Sequence, residues 1–158
     1  METSQIVDHL NDLLQLEYDA VHAYTSAINH VDDRDLLDHL TSFRADHNHH
    51  VNELVHLVKI YGGTPKAKPD LKGPFLKGLT GVMSSTGSRN ALRIMLQNEN
   101  LTNKAYDGAV DDDYPAEIHQ LMEQFLADER RHRAWIQQEL DSWGEPAAAP
   151  EEERPEAP

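Results

Sequence analysis

The sequence predicts an all-α fold, a four-helix bundle built from two similar antiparallel hairpins. Apolar residues recur three or four positions apart along four long segments, which is the period of a helix with one buried face. No segment of the 158 residues shows the alternating pattern of a strand. A sequence motif also recurs along the chain, since residues 43–50 resemble residues 125–132 at an offset of 82 (43 to 125, 50 to 132).

The first hairpin consists of helices predicted over residues 4–30 and 34–61. Asp32 and Asp33 offer side chains that can cap the second helix. Gly62 and Gly63 permit the left-handed turn that ends a helix. Because the link between the two helices is short, we expect them to be antiparallel neighbours.

The second hairpin consists of helices predicted over residues 89–110 and 115–143, with a short link between them. Ser88 is expected to cap the third helix, and Pro115 suits the first position of the fourth. About 26 residues join the hairpins, so we predict a long crossover that contains a short helix near 75–84 and lets helices 2 and 3 run parallel.

From residue 144 onward the sequence is rich in proline, alanine and glutamate, which predicts a disordered tail because this composition cannot bury a core. The expected domains are therefore a bundle at 1–143 and a tail at 144–158.

Composition narrows the range of partners. The net charge of −14 argues against nucleic acid and anionic lipid, which are bound by lysine and arginine, and it is compatible with attracting cations. No apolar run approaches the ~20 residues of a membrane span, and the polar N-terminus does not resemble a secretion signal. We therefore expect a cytoplasmic protein with no membrane partner. The absence of cysteine excludes thiolate metal sites and disulfides.

Six ionisable residues occupy positions where the helical period calls for an apolar side chain. They are Glu17, His47, His50, Glu99, Glu129 and His132. A carboxylate buried alone costs several kcal/mol, so six such groups at one level make sense if cations neutralise them. Glutamate and imidazole together suit iron, manganese or zinc. Each of these residues taken singly is more often a satisfied polar residue. Agreement among four helices, together with the internal repeat, favours a metal site.

The remaining histidines fall mostly off the buried stripe and are expected at the surface. They are His9, His22, His30, His39, His49, His56 and His119.

The spaced motifs of this stripe resemble the ferritin-like superfamily, with rubrerythrin-type and small bacterial ferritin-like proteins nearest. The resemblance covers about residues 4–142 and rests on Glu17-x6-Tyr24, Asp46-His47-x-x-His50, Glu99-x6-Tyr106 and Asp128-Glu129-x-x-His132. It implies a dimetal centre, usually diiron, inside the bundle. Glutamates of helices 1 and 3 would be terminal or chelating ligands, and E-x-x-H motifs of helices 2 and 4 would supply bridging carboxylates and histidines. The absence of cysteine argues against a true rubrerythrin, which carries a cysteine-ligated iron module.

The chain departs from the family pattern at His47, which stands where helix 2 should carry a bridging glutamate. Three carboxylates leave two divalent ions with a formal charge of +1, so we predict unequal affinity at the two positions, with a single tightly held ion as the extreme case. Asp46 could replace the lost carboxylate, but a role in orienting a histidine fits both Asp46 and its counterpart Asp128 better. Tyr24 and Tyr106 are expected either to hydrogen-bond the ligating glutamates or simply to pack in the core.

The function implied is that of an oxidoreductase of the ferroxidase or peroxidase-like kind, which oxidises Fe(II) or reduces peroxide or dioxygen. Its expected cofactors are two divalent ions, iron first, with manganese or zinc as alternatives. The competing hypothesis is a non-catalytic metal-binding or stress-associated bundle with a structural or vestigial site. The expected partners are metal ions and dioxygen or peroxide, with a homodimer as the candidate assembly.

Overall fold

The structure, a computed structural model, describes residues 1–67 and 87–144 of the chain. Those residues form four helices, α1 Thr3–Ile28, α2 Arg34–Ile60, α3 Ser88–Asp111 and α4 Ala116–Ser142, and contain no strand. The predicted all-α bundle is thus confirmed, and every helix begins and ends within two residues of its predicted limits. The short helix predicted near 75–84, and the predicted tail from residue 145 onward, lie outside the described residues.

Two apolar layers hold the helices together and reveal their directions. One layer contains Leu10 near the start of α1, Leu54 near the end of α2, and Ile118 near the start of α4, together with the end of α3. The other layer joins the opposite halves of the same four helices. Helices α1 and α4 therefore run one way and α2 and α3 run the other, so α2 and α3 are parallel as the sequence analysis allowed. Between the two layers lies the level of the six ionisable residues.

The ends of α2 follow from local chemistry. Asp33 precedes the helix, and its carboxylate accepts hydrogen bonds from the backbone N–H groups of Asp35 and Leu36, at 2.9 and 3.1 Å. At the other end Gly62 adopts a φ of +77°. The N–H of Gly63 then donates to the carbonyl of Val58 at 2.8 Å, which closes the helix in the usual Schellman arrangement.

The start of α3 differs from its prediction. Ser88 is the first residue of the helix and does not cap it, because Gly87 occupies the capping position with a φ of +103° and offers no side chain. In the residues that the structure describes, no helix is both long and apolar enough to cross a membrane.

The cap of α2 provides a test of the fold. Replacing Asp33 by alanine removes the acceptor for two backbone N–H groups, and we expect a loss of about 1 kcal/mol in the free energy of unfolding. The neighbouring substitution Asp32→Ala is the matched control and should change stability by less than about 0.5 kcal/mol. Urea denaturation followed by circular dichroism measures both, and equal losses would contradict the capping role.

Candidate metal centre

The six ionisable side chains of the stripe converge in the middle of the bundle. Each is at most 1% exposed. Every helix contributes, because on each helix an ionisable residue interrupts the apolar inward face at the same level along the bundle. On α1, for example, Glu17 lies between the buried Leu14 and the buried Tyr24. The structure therefore brings together all six residues that the sequence singled out.

The cluster consists of two overlapping groups of donor atoms. Glu17, His47, His50 and Glu129 form one group, and His47, Glu99, Glu129 and His132 form the other. Within each group the donor atoms lie within 4.8 Å of one another, so one ion could reach all four. We call them the Glu17 group and the Glu99 group. His47 and Glu129, which occupy equivalent places in the repeat, belong to both.

The two histidines at the ends of the motifs are held by the opposite motif. Asp128 of α4 accepts from Nε2 of His50 at 3.4 Å, and Asp46 of α2 accepts from Nε2 of His132 at 3.0 Å. Carboxylates only accept hydrogen bonds, so each Nε2 carries a proton and each Nδ1 faces the cluster. The orienting role expected for Asp46 and Asp128 agrees with this geometry, but it is exercised across the bundle and not within one helix.

Two phenylalanines also contact a histidine of the other half of the repeat. Phe125 of α4 stacks on His50, with ring centroids 4.0 Å apart, and Phe43 of α2 lies 4.3 Å from His132. Each imidazole is therefore fixed in orientation by a hydrogen bond and by an aromatic ring.

The tyrosines also act between the halves of the repeat. The hydroxyl of Tyr24 donates to Glu99 and that of Tyr106 donates to Glu17, each at 2.5 Å. Both rings are fully buried, and both carboxylates raise the pKa of the tyrosine that binds them, in addition to the effect of burial. Of the two roles left open by the sequence, the hydrogen-bonding one is present in the structure.

Two further residues support the site and were missed in the sequence. Arg131 donates to Asp46 at 2.9 Å and to Asp128 at 2.7 Å, so a single guanidinium bridges the two aspartates that hold the histidines. Asn103 donates to the backbone carbonyls of Glu99 and Glu129 and links α3 to α4 at this level. Arg131 lies inside the repeated motif, but the equivalent residue of the first copy is His49, so the repeat did not indicate a role for an arginine at this position.

The Glu17 group is arranged as a set of paired charges. Burial disfavours the ionised form of Glu17, but the neighbouring His47 and His50 outweigh it and lower the pKa of this carboxyl to about 2. Burial likewise disfavours the charged form of His50, yet Glu129 and Glu17 raise its pKa to about 9. The pKa of His47 is raised for the same reason, against burial, by Glu129 and Glu17.

The Glu99 group shows the opposite pattern. Burial, reinforced by the charge of Glu129, raises the pKa of Glu99 to about 7. Burial and the nearby charge of His47 lower the pKa of His132 to about 4. Although Glu99 repeats Glu17 and His132 repeats His50, the pKa shifts of the duplicated residues have opposite directions.

The chemistry of the donor atoms fits a metal ion. Seven buried side-chain nitrogen or oxygen atoms among the described residues have no hydrogen-bond partner, and five of them belong to this cluster. They are both carboxylate oxygens of Glu129, one oxygen of Glu99, Nδ1 of His132 and Nε2 of His47. Buried polar groups are normally satisfied, so five open atoms at one point form a candidate site for a cation.

The histidines outside the stripe behave as expected. Six of them are exposed and His119 is half-buried. None belongs to either group of donor atoms.

The chain matches a model of a known protein family. A family model described as Domain of unknown function (DUF2383) matches residues 5–112. That range includes Glu17, His47, His50 and Glu99 and ends before α4. No curated protein matches the chain.

Several solved structures share the fold. Ferritin like, diiron-carboxylate proteins from Bacillus anthracis str. Ames are similar with a TM-score of 0.73 and 23% identity, over 89% of this chain and 99% of that one. A conserved hypothetical protein from Mycobacterium tuberculosis gives 0.77 and 16%, over 94% and 100%. A dodecameric thioferritin, the bacterioferritin-related protein from Bacteroides fragilis, gives 0.76 and 16%, over 90% and 88%. At these identities the likeness establishes the fold, which is ferritin-like as predicted.

The tyrosine hydrogen bonds can be separated from core packing by experiment. Tyr106→Phe keeps the ring but leaves the buried carboxylate of Glu17 without one donor, and we expect a loss of about 1.5–3 kcal/mol in the free energy of unfolding. The control is Tyr18→Phe on the same helix as Glu17, which should cost less than about 0.5 kcal/mol. Urea denaturation of chelator-treated protein measures both. A neutral Tyr106→Phe substitution would mean that the tyrosine only packs.

Proposed function

The chain belongs to the DUF2383 family and folds as a ferritin-like bundle, and on this premise we propose that it is a metal-dependent redox protein. The proposed cofactors are two divalent metal ions, with iron as the first choice. The proposed reaction is oxidation of Fe(II), with peroxide or dioxygen as the electron acceptor. With peroxide as the electron acceptor, two Fe(II) ions supply two electrons that, together with two protons, convert one H₂O₂ into two water molecules.

The observation that carries this proposal is the set of five open donor atoms at the buried meeting point of four helices. Together with Glu17 and His50 they offer three carboxylates and three imidazoles, which suit iron, manganese and zinc. In this proposal Glu17 and His50 would hold one ion, and Glu99 and His132 would hold the other. Glu129 would bridge them.

Bound iron would supply the one-electron chemistry that no side chain of the cluster possesses. The protein contributes orientation, because aspartates and phenylalanines fix the imidazoles and tyrosines fix the carboxylates. It also excludes water and large substrates, since the donor side chains are at most 1% exposed. Only ions and small molecules such as peroxide or dioxygen suit so enclosed a site.

Protons have a route between the cluster and solvent. Asp46 and Asp128 bind the Nε2–H groups of the buried histidines, and their side chains are 30% and 34% exposed. Each aspartate therefore connects a buried imidazole to the surface of the bundle. A reaction that consumes protons at the cluster can draw them through these two pairs.

A second function, a non-catalytic metal-binding bundle, is favoured by the complete burial of the donor side chains. In that case the ion would act on stability alone. A ligand present at a thousand times its dissociation constant stabilises the folded state by about 4 kcal/mol. Both functions predict that bound metal raises the melting temperature of the protein, and only the redox function predicts oxidation of Fe(II).

A glutamate substitution in α4 tests the redox function. Glu129→Gln removes the carboxylate that both groups share, and we expect iron binding and Fe(II) oxidation to fall at least about tenfold, since even loss of an outer hydrogen bond costs that much. Glu123→Gln, an exposed residue of the same helix, is the control and should behave as the wild type.

Metal content of protein purified without added metal, followed by anaerobic Fe(II) loading and addition of peroxide, provides the measurement. Binding without oxidation of Fe(II) would favour the structural alternative. A wild-type protein that binds neither iron, manganese nor zinc would contradict both functions.

A further inference from the structure

The open donor atoms are distributed unequally between the two groups. All five lie on the four residues of the Glu99 group, and neither Glu17 nor His50 has one. An exact duplication would have left equal numbers on both sides. The two positions of the cluster therefore differ in how ready they are to receive an ion.

Glu17 and His50, the two residues that belong to the Glu17 group alone, are closed by hydrogen bonds. One oxygen of Glu17 accepts from Nδ1 of His47 at 2.8 Å. The other accepts from the hydroxyl of Tyr106 at 2.5 Å and from Nδ1 of His50 at 3.2 Å. A cation could enter here only by displacing the protons of two imidazoles, because metal binding requires deprotonated ligands.

The Glu99 group has the spacing of an open site. Nε2 of His47 lies 3.6 Å from Glu99, and Nδ1 of His132 lies 3.8 Å from the other oxygen of the same carboxylate. Both distances are too long for hydrogen bonds. Two donor atoms that each lie about 2.1 Å from a tetrahedral ion are about 3.4 Å apart, so the gap has roughly the size that an ion needs. The Glu17 group also has a gap of this size, 3.4 Å between Glu129 and Nδ1 of His50, but there the imidazole nitrogen already donates to Glu17.

His47 is the cause of the difference. At this position the other half of the repeat has Glu129, whose two oxygens are both open. An imidazole has two nitrogens on opposite sides, and here Nδ1 is committed to Glu17 while Nε2 points toward the Glu99 group. Each group contains two carboxylates and two imidazoles, but both groups share Glu129, so the three carboxylates of the cluster fully balance only one divalent ion.

We infer that the cluster holds one divalent cation tightly, between His47, Glu99, Glu129 and His132, and that the Glu17 group accepts a second cation only weakly. The inference rests on the proposed metal-binding function and specifies which half of the duplicated site retains its ion. A weak second position suits a cation that enters and leaves as substrate, next to one that stays.

The repeat itself supplies matched variants. Glu99→Gln and Glu17→Gln are equivalent, nearly isosteric changes at the two positions. We expect Glu99→Gln to weaken the first equivalent of Zn(II) at least about tenfold more than Glu17→Gln does, because Glu17 affects that ion only through its hydrogen bond to His47. Equilibrium dialysis against a competing chelator, with metal analysis, gives the affinity and stoichiometry. The visible spectrum of bound Co(II) gives an independent readout of the coordination.

Equal weakening by the two substitutions, or two equivalents of equal affinity in the wild type, would overturn the inference and leave the proposed function intact. Absence of any binding to the wild type would overturn both. If Glu99→Gln does not fold, as judged by circular dichroism, the pair His132→Gln and His50→Gln gives the same comparison.

A gain-of-function variant tests the cause. His47→Glu restores the fourth carboxylate and removes one of the three donors that close Glu17, so we expect a second tight equivalent of Zn(II). A stoichiometry that remains one, at unchanged affinity, would contradict the role given to His47.

Discussion

The burial of three carboxylates and three imidazoles at one level of a helical bundle is the constraint on which the rest of the structure depends. These groups lie between two apolar layers, and the packing of those layers fixes the spacing of the four helices. Inside such a core an unsatisfied charged group is expensive, so each must find a partner at the same level. Tyrosines, aspartates and an asparagine supply part of what is needed, and the remaining open atoms form a candidate site for a cation.

The supporting contacts run from one half of the repeat to the other. Asp46 holds His132 and Asp128 holds His50. In the same way, Tyr24 donates to Glu99 and Tyr106 donates to Glu17. Neither hairpin alone can therefore orient its own ligands. Arg131 joins the two aspartates, and this makes the orientation of both histidines depend on one exposed side chain. The site is therefore complete only when both hairpins have packed into the bundle.

The duplication is broken at one position in a way that changes the chemistry. With His47 opposite Glu129, the cluster loses a carboxylate and gains a side chain that can donate on one side and ligate on the other. The pKa values of the repeated residues diverge accordingly, with Glu17 lowered to about 2 and Glu99 raised to about 7. A single residue thus separates two positions that the fold otherwise makes equivalent.

The sequence by itself determined the helices, their limits to within two residues, and the six inward ionisable positions. It could do so because helical periodicity, turn residues such as Gly62, and an internal repeat are all properties of the linear chain. It failed at the start of α3, where a glycine and not Ser88 takes the capping position.

The tertiary structure decided which partner each of those side chains has. Asp46 and Asp128 each hold a histidine of the other hairpin, and Arg131 bridges the two aspartates, because α2 and α4 are neighbours. Glu17 accepts a hydrogen bond from His47 and Glu99 does not, because Nδ1 of His47 lies 2.8 Å from Glu17 whereas Nε2 lies 3.6 Å from Glu99. A one-dimensional period specifies the face on which a residue lies, and it contains no information about the distance between two faces. The asymmetry of the site therefore became visible only once the four helices were packed together.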